Sequence, residues 1–219
     1  MRMRKKKHGA ERIAACSELL IETPIPANTD PQSYFSEKKP ICLEIGCGKG
    51  DFAVGMSEKY PEYNWIAMER VADVACLALE KAMRRRDERP DNLRFVIGDA
   101  RNAAEWFPEG SIDCVYLNFS DPWPKTGYAK RRLTHASFLA LYRKILKKGG
   151  LLKLKTDNEG LFDFSLEQFA ECGLTLLWET RDLHASEKAA DNIMTEYERN
   201  FSEKGQNIYS AWVRFEEDV

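Results

Sequence analysis

Acidic residues recur in this chain where an α/β fold would end a strand. Glu44 opens the run Glu44-Ile-Gly-Cys-Gly-Lys-Gly50, Glu69 follows an apolar stretch, and Asp99 stands in Gly98-Asp-Ala100. A fourth, Asp121, lies in Asn118-Phe-Ser-Asp-Pro-Trp-Pro-Lys125, where two prolines fix the backbone around an indole. Glycine at Gly46 and Gly48 lets the backbone turn sharply and approach a ligand with no Cβ in the way. A dinucleotide loop wants a glycine at the sixth place of its motif, and here Asp51 holds that place. A carboxylate there would repel a pyrophosphate lying on the helix N–H groups. S-adenosylmethionine carries a sulfonium, an ammonium and a single carboxylate, so an acidic loop suits it better than it suits NAD. Glu69, about 20 residues beyond the glycines, is placed to accept from ribose hydroxyls, and Asp99 from the amine of an adenine. Taken singly, each acid could be a helix cap or a surface carboxylate. Acids at the ends of successive strands imply a crevice for a cation.

The elements that hold these residues read from periodicity. Strand-like runs at residues 41–45, 64–68, 93–97, 112–119 and 151–154 alternate with helical patterns at 51–59, 72–86, 133–146 and 161–172. Two further strand-like runs follow at 174–178 and 209–215. Such alternation predicts a doubly wound, mostly parallel seven-stranded sheet, Rossmann-like, with helices on both faces. Residues 40–219 are expected to form this domain. Residues 1–39, with a basic tail and Pro24, Pro26 and Pro31, read as a short N-terminal extension.

Composition removes some classes. No apolar stretch approaches a membrane span, and no apolar region follows the basic residues 2–7, so a cytoplasmic protein is expected. The six cysteines are scattered without a C-x-x-C pair and the three histidines stand apart, which gives no metal site. Lys+Arg number 33 against 35 Asp+Glu, a net charge of −2. The positive charge is nevertheless gathered at residues 2–7, 81–89, 125–132 and 143–155. Each block alone could be a solvated helix face; together they could form a phosphate-facing patch.

At the loop after the fourth strand the sequence closely resembles the bacterial-type tRNA (guanine-N7-)-methyltransferases, over nearly all of residues 40–215. The likeness rests on Glu44-Ile-Gly-Cys-Gly-Lys-Gly50, Glu69, Gly98-Asp-Ala100 and Ser120-Asp-Pro-Trp-Pro-Lys125, with Lys130-Arg-Arg132, Lys155-Thr-Asp157, Thr195-Glu-Tyr-Glu198 and Gly205. It implies S-adenosylmethionine as methyl donor and, as acceptor, a guanine N7 in the variable loop of tRNA. It further implies that Glu44, Glu69, Asp99 and Asp121 bind the donor, and that Asp121 is catalytic. Lys125, Asp157, Thr195, Glu196, Tyr197 and Glu198 would hold the guanosine. Lys130, Arg131 and Arg132 beside the loop are candidates for the RNA backbone, and the subunit could be a monomer or a homodimer, with no protein partner needed.

Guanine N7 has an in-plane lone pair and no proton, so in-line displacement at a sulfonium methyl requires alignment rather than a general base. Asp157 or Glu198 could accept from guanine N1–H and N2–H, which become more acidic as the new bond forms. Three other readings stay open on residues alone: a small-molecule methyltransferase or aminopropyltransferase, a catalytically silent RNA-binding module, and an amino methyltransferase of modified bases. The first leaves the basic clusters unexplained. The second leaves the acids unexplained, and the third usually has adjacent prolines where Trp123 separates two here.

Overall fold

The computed structural model describes residues 7–85, 87 and 90–215; Arg2 to Lys6 of the basic tail, and Arg86 and Arg89 of the second basic block, lie outside the described residues. Eight strands form one sheet: β1 (Leu20–Ile21), β2 (Ile41–Ile45), β3 (Asn64–Glu69), β4 (Leu93–Ile97), β5 (Ile112–Asn118), β6 (Leu146–Thr156), β7 (Leu174–Thr180) and β8 (Tyr209–Phe215). Their order is β1-β4-β3-β2-β5-β6-β8-β7. Every neighbour pair is parallel except those of β8, which runs antiparallel between β6 and β7.

Side chains of β2 alternate between two cores, as a strand covered on both faces requires. Ile41, Leu43 and Ile45 join one core with α4 (Ala103–Trp106), α5 (Ala136–Ile145) and α6 (Glu159–Glu171). Cys42 joins the other with α2 (Asp51–Lys59) and α3 (Ala72–Arg84). Helix α3 buries Ala75, Cys76, Ala78, Leu79 and Ala82, the i, i+3, i+4, i+7 stripe of a helix lying on a sheet. It packs so closely on the start of α2 that a Cβ on Gly50 would come 2.8 Å from Ala78 Cβ.

Seven strands are expected from the sequence and eight are found. The extra one is β1, two residues whose Leu20 and Ile21 pair with Phe95 and Val96. Helix α1 (Gly9–Ala14) rests on α3, fixed by Arg12, which donates to both carboxylate oxygens of Glu80 at 2.6 and 2.7 Å. Other boundaries move for local reasons. Helix α5 starts at Ala136 because residues 126–131 coil as 3₁₀ turns and the His135 side chain caps the Ser137 N–H. Strand β6 begins at Leu146, which pairs with Ile112 ahead of a register shift against β5, and Gly149 in the irregular stretch takes the left-handed φ of +70°. A last helix, α7 (Glu196–Ser202), lies in the long connection between β7 and β8.

Candidate active site

The carboxyl ends of β2, β3, β4 and β5 open into a crevice of about 560 Å³. Gly46, Gly48, Glu69, Asp99, Asp121, Lys130 and Arg131 all line it. The glycine loop folds back on the tip of β3: the N–H groups of Gly46 and Cys47 both donate to Met68 O, at 2.8 and 3.0 Å. Gly46 and Gly48 sit at φ +83° and +56°, and a Cβ on either would meet nothing within 4 Å. Glycine is needed there for backbone angle, and the space above it is open to a ligand.

Each acid on the wall is held differently. Glu69 accepts from the Gly48 N–H at 3.1 Å and from the Val71 N–H at 2.8 Å, which ties the glycine loop to the end of β3. Asp99 caps the turn after β4 and accepts from the Arg101 backbone and guanidinium, with Arg70 at 3.9 Å. The Arg101 hydrogen bond holds the Asp99 carboxyl below its usual range despite partial burial. Asp121 is exposed on the wall, and beside it the buried Ser120 Oγ has no hydrogen-bond partner among the described residues. From sequence, Arg70 and Arg101 have no assigned role, and Ser120 enters only as part of the motif Ser120-Asp-Pro-Trp-Pro-Lys125. The Asp-x-Arg spacing was the available signal for Arg101, since an aspartate commonly bonds a backbone N–H two residues on. Asp51 pairs with Lys81, which partly offsets its charge at the helix start.

Glu44 is expected in this crevice from sequence, and it does not line the wall. It points to the face that carries Cys42, is 2% exposed, and accepts from Asn118 Nδ2 at 2.9 Å. Burial pushes its carboxyl up to about 7 against the pull of Asn118 and Lys155. Its second oxygen has no partner among the described residues.

The loop after β5 carries backbone strain. Phe119 and Trp123 adopt φ +51° and +41°, a region that costs residues with a Cβ about 1–3 kcal/mol. Arg132 holds the second of these in place. Its guanidinium donates to Pro122 O at 2.9 Å and Trp123 O at 3.1 Å while lying over the Phe164 ring at 4.3 Å. Arg131 instead projects outward, stacked between Trp123 at 4.9 Å and Tyr128 at 4.5 Å. Lys125 is exposed beyond the crevice wall.

Asp157 and residues 195–198 assemble outside that wall. Tyr197 donates to Asp157 at 3.2 Å, and its ring packs on Phe119 at 5.0 Å and Phe201 at 4.4 Å. Proximity to Asp157 adds to burial in pushing the Tyr197 phenol up to about 12. Thr195 and Glu198 form a reciprocal capping box at the start of α7. Glu198 is 0% exposed, and both its oxygens are engaged: Lys155 at 2.7 Å on one, Asn192 at 2.6 Å and His184 at 2.8 Å on the other. Burial pushes Glu198 up, but Lys155, His184 and Asn192 outweigh it and keep the carboxyl below its ordinary value. Burial also pulls the Lys155 ammonium down, opposed by Glu198. Glu198 therefore has no oxygen left for a substrate N–H. Glu196 reaches Lys49 of the glycine loop at 2.8 Å, a second link between the two halves beside the packing of Tyr197 on Phe119.

Comparison with known proteins places the chain in a family and a fold. Residues 38–211 match the family model described as "Putative methyltransferase". The chain is 44% identical to a tRNA (guanine-N(7)-)-methyltransferase of Limosilactobacillus reuteri (strain DSM 20016) over 215 residues, 98% of this chain and 100% of that protein. A protein of the same name from Lactococcus lactis subsp. cremoris (strain SK11) is 44% identical over 98% of both chains. Among solved structures, the 16S rRNA methyltransferase KamB superposes with a TM-score of 0.66 at 9% identity, covering 88% of this chain and 95% of that one. A variant 16S rRNA (adenine(1408)-N(1))-methyltransferase from Catenulisporales acidiphilia, solved with cosubstrate SAM, gives 0.54 at 15% identity, covering 97% and 93%. At those identities the structural likeness is one of fold.

Proposed function

This chain belongs to the tRNA (guanine-N(7)-)-methyltransferase family, S-adenosylmethionine-dependent enzymes that methylate N7 of a guanine in tRNA, and we propose that its target is a guanosine of the variable loop. The observation that carries the mechanistic reading is the shared wall of one crevice. Glu69 and Asp99, suited to a ribose and an adenine, face it together with Asp121 on the loop beside Arg131 and Trp123. The open space above Gly46 and Gly48 leaves room for the donor. When bound, S-adenosylmethionine supplies an electrophilic methyl group on a sulfonium.

The residues then divide the work. Glu69 would hold the ribose and Asp99 the adenine, exchanging part of its contact with Arg101. Glu44, outside the crevice wall, would favour a cationic donor only from a distance and in its ionised form. Asp121 orients donor and base and removes no proton, since N7 carries none. Asp157 is the carboxylate left to accept from the guanine N1–H and N2–H edge, an interaction that strengthens as positive charge reaches the purine. It would also disfavour adenine, whose edge presents a different pattern. Glu198 acts as a positioning residue that holds residues 195–197. Lys130 and Arg131 would meet phosphates around the target, whose exposure requires local opening of the RNA fold. Among the described residues no helix is long and apolar enough to cross a membrane; we place the enzyme in the cytoplasm with its RNA.

The test is the single-turnover rate against pH for the parent and Asp121→Asn, with donor and tRNA saturating. A slower variant with a profile parallel to the parent's is expected. A steep acidic limb in the parent that vanishes in the variant, at unchanged affinities, would return Asp121 to the role of base.

A further inference from the structure

A second cavity, of about 200 Å³, lies on the α2 face of the sheet and shares no lining residue with the donor crevice. Strands β6 and β8 run beyond the cover of α2 there, and residues 183–193 form the opposite wall. The lining is aromatic to a degree the donor crevice is not, with Tyr60, Tyr63, Tyr116 and Trp212 among its walls. Tyr116 and Trp212 sit on neighbouring strands, either side of Lys153 on β6.

Three lysines line this space, and the ammonium groups of two of them, Lys153 and Lys188, meet aromatic rings without a carboxylate partner among the described residues. Lys153 Nζ lies 4.0 Å from the Trp212 ring and donates to the Tyr116 hydroxyl at 3.3 Å. Lys188 Nζ lies 4.3 Å from the same ring, from the wall of residues 183–193. Among the described residues neither makes an ion pair with a carboxylate. Other lysines nearby do: Lys155 on Glu198, and Lys59 at 3.8 Å from Asp191, the acid at the rim. Indole faces attract a cation but leave its charge uncancelled. Two unneutralised ammoniums on one ring, beside flat aromatic walls, have an excess of positive potential that an anion would relieve.

We propose that this cavity is a second binding site, for a small planar aromatic anion that packs among these aromatic walls and places its acidic group between Lys153 and Lys188. The lining accounts for both halves of that ligand. The aromatic rings select flatness, and the paired ammoniums select charge. The wall also carries Asn192, which bonds Glu198, so an occupant touches the frame that holds residues 195–197.

Two probes with the same rings separate charge recognition from mere greasiness. 8-Anilinonaphthalene-1-sulfonate carries a sulfonate; N-phenyl-1-naphthylamine does not. Titrated by fluorescence into the full chain, the sulfonate is expected to bind one to one, at least tenfold tighter than the neutral probe, and to survive excess S-adenosylhomocysteine. Lys153→Met with Lys188→Met should bring the two probes within threefold of each other while donor affinity and circular dichroism stay as in the parent. Lys188→Met alone, a change on the half-buried wall segment, should remove at least threefold of the preference if the double variant folds poorly. Equal affinities for the two probes, a preference that survives the lysine changes, or displacement by S-adenosylhomocysteine would each overturn the assignment.

Discussion

Replacing Arg132 tests whether a loop conformation, rather than a phosphate contact, is what that side chain supplies. Its guanidinium makes two hydrogen bonds to the carbonyls of Pro122 and Trp123. Bonds from a charged donor contribute about 1.5 kcal/mol each at the low end of their range, so the clamp contributes about 3 kcal/mol. Opposing it, the left-handed backbone at Trp123 costs about 1.5 kcal/mol. The held loop is thus favoured by about 1.5 kcal/mol, and in Arg132→Ala it is disfavoured by about the same amount. Fewer than about one molecule in ten would then present Asp121 correctly, so the rate at saturation falls about tenfold. The assay is a rapid-quench single turnover with radiolabelled donor at saturating tRNA, paired with tRNA binding measured across salt concentrations. Arg132→Ala should lose about tenfold in rate and keep the parent's salt slope, and Arg132→Lys, able to reach one carbonyl, should fall between. A rate within twofold of the parent, together with a slope flattened by about one unit, would mean that the guanidinium grips a phosphate after all.

Three further outcomes follow from the same geometry. Arg131→Ala, which removes an outward guanidinium and leaves the clamp intact, should flatten the salt slope of tRNA binding by about one unit with donor affinity unchanged; an unaltered slope removes it from the RNA surface. Glu44 is an acid whose folded value is raised, to about 7 by burial. Its contribution is therefore most favourable below the unfolded carboxyl value and is lost as pH climbs from about 4.5 to 7, a loss of roughly 3 kcal/mol. Glu44→Gln should flatten that fall in urea-denaturation stability, and a parallel pH profile would show that Glu44 ionises without cost. Glu198→Ala leaves the Lys155 ammonium buried and unpaired, so unfolding stability should drop by about 3 kcal/mol or more; a drop under about 1 kcal/mol would mean that water or a shifted chain repairs the gap.

Much of the donor side is legible in the chain itself because its signals are local. Apolar runs end right before Glu69 and Asp99, and the positive backbone angles of Gly46 and Gly48 are what a glycine cluster between strand and helix announces. Partnerships across the fold are not local. Arg132 reads as one more cation in a basic block until the carbonyls ten and nine positions earlier are seen beside it. Glu198 reads as a free acid until Lys155, His184 and Asn192 close round it. The face to which Glu44 turns depends on a single-residue alternation, and a glycine loop directly behind it does not reveal which side the acid takes. Strand β1 escapes because two residues carry no period; it exists only because β4 offers an edge.

The insertion of β8 between β6 and β7 has a consequence for birth on the ribosome. All parallel strands, the glycine loop and Asp121 are synthesised well before Tyr209, so the donor half can condense early. Strand β7, whose one partner in the sheet is β8, must wait for that last-made neighbour to slot in. The sheet beyond β6 therefore closes only with the last-made strand, after every residue of the donor crevice has been synthesised.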